Sequence, residues 1–150
     1  MKIGDVVDFD ALDENGEPVK LSDFRGKPVV LFFYPKADTP GCTIEACEFR
    51  DSFGDLKKAG VTVLGISRDK PGAQKKFKEK FDLPYTLLAD PEQVVCKQFD
   101  VIKNKTMYGK PVTGIERSTF LFDKDGKLVE EMRKVTPEGH AAEILSKFKK

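Results

Sequence analysis

Tyr34-Pro35-Lys36-Ala37-Asp38-Thr39-Pro40-Gly41-Cys42-Thr43-Ile44-Glu45-Ala46-Cys47-Glu48-Phe49-Arg50 is the stretch on which the reading of this chain turns. It leaves the apolar run Val29-Val30-Leu31-Phe32-Phe33-Tyr34, which is bounded by Pro28 and Pro35. A short run that is apolar at every position reads as a strand buried on both faces. Beyond it, Thr39 is a good N-cap and Pro40 fits the first helical position. Ala46, Phe49, Phe53 and Leu56 then recur at three- and four-residue spacing, the pattern of an amphipathic helix. A strand that feeds a helix through a loop is where open α/β sheets place their sites.

Working outward, residues 61–67 and 118–122 read as further buried strands. Asp123-Lys124-Asp125-Gly126 is a hairpin turn signal, with residues 127–132 as the return strand. Residues 9–12 and 18–21, around Glu14-Asn15-Gly16, predict an N-terminal β-hairpin. Ala73, Phe77 and Phe81 mark a lysine-rich second helix, and residues 91–99 a short third. Thr136 and Pro137 predict the start of a last helix, with Ala141, Ile144, Leu145 and Phe148 inward. Strands alternating with helices, then a hairpin and a final helix, predict an α/β fold with a mixed central sheet flanked by helices. A length of 150 residues, 39% hydrophobic with twelve Phe, suits a single domain over 1–150.

Composition also excludes. Lys+Arg is 26 and Asp+Glu 25, so a net charge of +1 exerts no pull toward nucleic acid or an anionic membrane. The lysine-rich segments 75–80 and 147–150 read as solvated faces. The basic loop 103–110 carries one aromatic, Tyr108, too little interleaving for a nucleic-acid surface. No stretch approaches the ~20 apolar residues of a membrane span. Residues 1–8 lack an apolar run and a small-residue cleavage site, so a signal peptide is not expected and a cytoplasmic location is. Three cysteines do not make a disulfide scaffold; they point to thiol chemistry, metal binding or core packing. One histidine, His140, with three cysteines at unfavourable spacing does not make a zinc site. Cys96, between Val95 and Lys97 in a stretch with apolar neighbours, reads as a buried thiol, and a backup redox role stays open.

Cys42 falls in the first turn of the predicted helix, at about its third residue. A helix N-terminus carries roughly +0.5 charge and unpaired N–H groups, and both favour thiolate over thiol. At about 100° per residue, Ala46, Phe49, Phe53 and Leu56 lie within about 40° of the direction of Cys42. Cys42 therefore points along the packed face. Cys47 lies about 140° round, and the two Cα atoms are about 8–9 Å apart in an intact helix. That exceeds the ~7 Å reach of a disulfide. A bond between them demands that the first turn unwind.

The pattern of Pro35, Thr39 and Cys42 resembles the Pro-x-x-x-Thr-x-x-Cys signature of the peroxiredoxins. The string from Ala37 to Cys47 is similar to their bacterioferritin-comigratory, or Q, subfamily. Residues 21–27, Met107-Tyr108-Gly109-Lys110 and residues 114–120 support the match, which runs nearly end to end. The resemblance implies a thioredoxin-like fold and thiol-dependent reduction of hydrogen peroxide and organic hydroperoxides. It implies that Cys42 is the peroxidatic cysteine, attacking the peroxide and becoming a sulfenic acid. It implies that Cys47 is the resolving cysteine, that Arg117 stabilises the thiolate and the leaving oxygen, and that Glu45 orients Arg117. Thr39 would hydrogen-bond thiolate and peroxide, and Pro35 would shield the sulfur from water. No metal, haem or flavin is implied. The implied partner is thioredoxin or a similar dithiol, and a monomer is expected with a dimer left open. Two rival readings are a protein thiol–disulfide oxidoreductase and a redox-responsive binding or chaperone module. The first normally uses Cys-x-x-Cys, where this chain has Cys-x4-Cys. The second would show oxidation-dependent partner binding and negligible peroxide turnover.

Overall fold

A computed structural model describes residues 2–148; Met1 and the last two residues of the basic terminal run lie outside them. The elements in order are β1 (Asp10–Asp13), β2 (Pro18–Lys20), a 3-10 turn (Leu21–Phe24), β3 (Val29–Phe33), α1 (Pro40–Lys58), β4 (Thr62–Ser67), α2 (Pro71–Lys80), β5 (Thr86–Ala89), α3 (Val94–Gln98), β6 (Ile102–Met107), β7 (Lys110–Ile115), β8 (Ser118–Phe122), β9 (Leu128–Met132) and α4 (His140–Phe148). Seven strands form one mixed sheet in the order β2-β1-β5-β4-β3-β8-β9, and β6 and β7 make a separate ribbon. β3, β4 and β5 run parallel, while β8 lies antiparallel to β3. None of the described helices is long and apolar enough to cross a membrane.

The period of two along β3 divides the interior into two cores. Val29, Leu31 and Phe33 face one core, with Leu64, Ile66, Leu88, Phe99 and Phe120. Val30 and Phe32 face the other, with Cys42, Ala46, Phe49, Phe77 and Ile144. Helices α1, α2 and α4 cover the second face, and α3 contributes Val95 and Cys96 to the first. Phe32 stacks on Phe49 of α1 with ring centroids 4.5 Å apart. Gly65 of β4 makes room for this stack, since a Cβ there would stand 2.9 Å from the Phe32 ring and from Leu87. The strand that carries the chain to Cys42 is buried on both faces.

Four local expectations are corrected. The basic loop 103–110 is the β6–β7 hairpin, turned by Tyr108 and Gly109 with φ of 54° and 76°. Two central residues at positive φ make the tight turn that matches strand twist, which Gly favours. Thr136 and Pro137 do not start α4: Gly139 at φ 82° intervenes, and the helix begins at His140. α3 is shorter than residues 91–99, because the Asp90 carboxylate caps it by accepting the N–H groups of Val94 and Cys96. On α2, Ala73 is exposed and Gln74 takes the buried place, accepting from the Tyr34 hydroxyl at 2.5 Å and donating to Leu88 O at 2.7 Å.

Candidate active site

Strand β3 delivers the chain to a loop, residues 35–39, that is held from the side. The Asp69 carboxylate, just beyond β4, accepts the Ala37 N–H at 2.8 Å and the Ser67 hydroxyl at 2.6 Å. Asp38 sits at φ 59° and pairs with Lys80 at 2.9 Å. Pro35 is half-buried at the exit of the strand. Thr39 is the N-cap of α1 with extended backbone, and its carbonyl accepts the Thr43 N–H at 2.8 Å. Its hydroxyl does not cap the helix; it donates to Lys36 O at 2.7 Å. Short polar side chains in turns compete in this way for nearby backbone groups. The Thr39 hydroxyl is thus turned to its own loop, with no hydrogen bond to Cys42 among the described residues.

Cys42 is the third residue of α1 and only 2% exposed, packed on the face shared with Ala46, Phe49 and Leu56. Arg117, in the short link between β7 and β8, reaches it across the sheet. Its Nη2 donates to Cys42 Sγ at 3.3 Å, and its Nη1 donates to Glu45 Oε1 at 2.8 Å. One guanidinium fork therefore holds the sulfur and the carboxylate of the same helical turn. Gly41 permits this approach, because a Cβ there would stand 3.2 Å from Arg117 Nη2 and 3.5 Å from Pro137 Cγ. The Arg117 backbone is fixed in turn, its carbonyl accepting the Val135 N–H at 2.9 Å.

Glu45 is fully buried, and its Oε2 is without a hydrogen-bond partner among the described residues. Burial pushes its carboxyl up to about 7, against the attraction of Arg117 at 2.8 Å. Burial also opposes the charge on Arg117, but Glu45 and Cys42 outweigh it and hold the guanidinium above its ordinary value. This carries a stability prediction. The folded protein binds an extra proton between the ordinary 4.5 and about 7. That stabilising contribution is full below 4.5 and is lost as pH rises through about 7. Relative to Glu45→Gln, the wild type is expected to lose on the order of 3 kcal/mol between pH 4.5 and 8.5. Urea unfolding of both proteins across that range checks it, and parallel stability curves would refute it.

The other two cysteines sit differently. Cys47 is half-buried on α1, and burial pushes its thiol up, with Arg50 pulling against it. Cys42 and Cys47 are both free thiols in one unbroken helix. Cys96 is fully buried in the core on the opposite face of the sheet, and burial and Asp90 push its thiol up. The sheet between Cys96 and Cys42 argues against the backup role left open by the sequence. His140 is buried between Thr119 Oγ1 at 2.7 Å and Glu143 Oε1 at 3.0 Å, and burial holds its pKa low, so it serves the core as a neutral ring. Asp69 and Gly41 were not singled out by sequence reasoning. Gly41 lies inside the recognised string, whereas Asp69 is 32 residues from the Ala37 amide it holds and leaves no local signal.

Comparison with known proteins identifies the family. Residues 3–131 match the model of the AhpC/TSA family. Peroxiredoxin Bcp of Bacillus subtilis is 49% identical over 142 residues, covering 95% of this chain and 90% of that protein. A cysteine variant of peroxiredoxin Q from Xylella fastidiosa superposes with a TM-score of 0.92 at 39% identity, covering 98% of this chain and 94% of that one. The bacterioferritin comigratory protein of Xanthomonas campestris, solved in a study of its alkyl peroxide reduction activity, gives a TM-score of 0.88 at 39% identity over 93% of this chain and 89% of that one. With a thioredoxin-like fold and relatives matched over nearly their whole length, the chain belongs to the AhpC/TSA family, among its Bcp/PrxQ peroxiredoxins, and is a thiol peroxidase.

Proposed function

We propose that Cys42 attacks the peroxide, that Cys47 resolves the product as a disulfide, and that a thioredoxin-type dithiol restores both thiols. The observation that carries the assignment is the Arg117 fork, whose Nη2 lies 3.3 Å from Cys42 Sγ. Cys47 sits beyond the first turn, and its sulfur takes no side-chain hydrogen bond among the described residues. Of the two helix cysteines, Cys42 is therefore the nucleophile.

In the first step the Cys42 thiolate forms an S–O bond as the O–O bond breaks. The sulfur is oxidised by two electrons, and the other oxygen leaves as water or alcohol after taking a proton. Arg117 meets the charge that develops on the leaving oxygen. Glu45 keeps the guanidinium aimed. In this reading Thr39, the N-cap of the same turn, and Pro35, at the exit of β3, line the approach. In the second step the Cys47 thiol loses its proton, its sulfur attacks Cys42, and hydroxide leaves to form water. Two electrons from an external dithiol then reduce the disulfide by exchange. Hydrogen peroxide and organic hydroperoxides are the substrates in this reading, and the alkyl peroxide reduction named for the Xanthomonas protein supports the organic class.

Cys47→Ser tests the division of labour. The reduced variant is expected to consume about one equivalent of peroxide, set by the single attacking sulfur, and then stall with Cys42 oxidised. Stopped-flow peroxide consumption and mass mapping of the oxidised protein check this. Sustained thioredoxin-linked turnover in that variant would remove Cys47 from its role.

A further inference from the structure

The Cys42–Cys47 disulfide requires α1 to open, and contacts outside the reacting set bear on how far it opens. Upstream, Asp69 Oδ2 holds the Ala37 N–H at 2.8 Å. Downstream, three side-chain bonds grip the helix just past Glu45. The Tyr85 hydroxyl donates to Ala46 O at 2.6 Å, in the core. Glu48 Oε1 accepts the Gly139 N–H at 2.8 Å, tying α1 to the start of α4. Arg50 Nη1 donates to Phe81 O at 2.9 Å, tying it to the end of α2. Cys42 lies between the upstream and downstream grips, whereas Cys47 lies within the gripped portion.

We propose that Tyr85, Glu48 and Arg50 are positioning residues that stop the unwinding at Ala46, so that Cys42 travels while Cys47 stays. The inference rests on the disulfide reading given above. In an α-helix each N–H bonds to the carbonyl four residues back. Opening residues 40–45 therefore frees the N–H groups of 44–49 and leaves the Arg50 N–H on Ala46 O, the carbonyl that Tyr85 also holds. The Cα atoms need to close only from about 8–9 Å to within ~7 Å. One opened turn provides that, and a target held by the fold loses less freedom when the bond forms. In the bond-forming step the S–O bond of the sulfenic acid breaks, the S–S bond forms, and the released hydroxide joins the Cys47 proton as water.

Hydrogen exchange on the full chain, reduced and after one equivalent of peroxide, tests the boundary. In the oxidised wild type, protection should be lost over amides 44–49 and kept from 50 onward. Tyr85→Phe keeps the ring and its edge contacts with Phe32 and Phe53 and removes only the hydroxyl. Glu48→Ala removes the tie to Gly139 and leaves a strong helix former. In the double variant, exchange at amides 50–54 of the oxidised protein should rise about 5- to 30-fold, as expected for losing one or two net hydrogen bonds. The reduced double variant should meet its first peroxide at the wild-type rate and form more sulfinic acid per turnover. Tyr85→Phe alone, which should show the smaller shift, serves if the double variant does not fold. An unmoved boundary overturns the proposal, as does wild-type loss running past residue 50, or an attack rate that falls in step. Mass mapping of the same samples separates the two readings: without a Cys42–Cys47 bond in the wild type, the disulfide reading itself fails.

Discussion

Cys42→Ser is expected to leave a folded protein that consumes peroxide no faster than buffer does, a loss on the order of a thousand-fold or more. The substitution changes one atom in a site that is only 2% exposed, and a serine Oγ can still accept from Arg117 Nη2. The fold should therefore survive. What disappears is the sulfur nucleophile: a hydroxyl attacks only with a base to take its proton, and Glu45, the nearest carboxyl on the same turn, already faces Arg117. The diagnostic comparison is with the other cysteines. Cys47→Ser keeps the first equivalent, and Cys96→Ser, across the sheet, should keep full turnover. Stopped-flow measurement of all three, with circular dichroism to confirm folding, decides the matter. Turnover retained by Cys42→Ser would transfer the attack to Cys47.

The second large effect is at Arg117. Arg117→Lys keeps the charge but loses the fork that holds Cys42 and Glu45 together. Removing one preorganised donor from a developing negative charge typically costs about 10²–10³ in rate, and the second-order rate of peroxide attack should fall accordingly. Arg117→Met goes further, because it strands the buried Glu45. Breaking a buried ion pair costs about 3–5 kcal/mol when the remaining group stays charged. Glu45 can escape by taking a proton, since burial already pushes its carboxyl up to about 7. The instability of Arg117→Met should therefore be small at pH 6 and larger at pH 8. Adding Glu45→Gln should restore stability at pH 8 and leave the rate low. Denaturant unfolding and stopped-flow rates on the same samples separate the two effects. A wild-type rate in Arg117→Lys would refute the role of the fork, and recovery of the rate in the double variant would make Arg117 a purely structural residue.

Much of the fold was legible because its signals are local. Residues 29–33 are apolar at every position, and they form the strand buried between the two cores. The Thr39-Pro40 start and the spacing of Ala46, Phe49 and Leu56 mark α1, with Cys42 in its first turn. The misses also have physical causes. β5 is four residues long, too short for its apolar run to be told from a helix segment. The β6–β7 ribbon lacks an apolar alternation and is held by its own backbone pairing, with Arg68 Nη2 donating to Thr113 O at 2.9 Å. Gln74 replaces Ala73 on the buried side of α2 because a polar chain can be buried when Tyr34 and Leu88 satisfy it.

By itself, then, the order of residues determined where strand passes into helix, which sulfur stands at the helix start, and that a disulfide to Cys47 must break the helix. Spacing along one segment is sufficient for that, since helical geometry is the same in every protein. Tertiary structure decided how the partners from elsewhere in the chain meet the sulfur. Arg117 lies 75 residues from Cys42 in the chain and meets it only because β3 and β8 pair side by side. The Thr39 hydroxyl rests on Lys36, and the Glu45 carboxyl is held near 7, because hydrogen-bond partners and burial are set by neighbours brought from elsewhere in the chain.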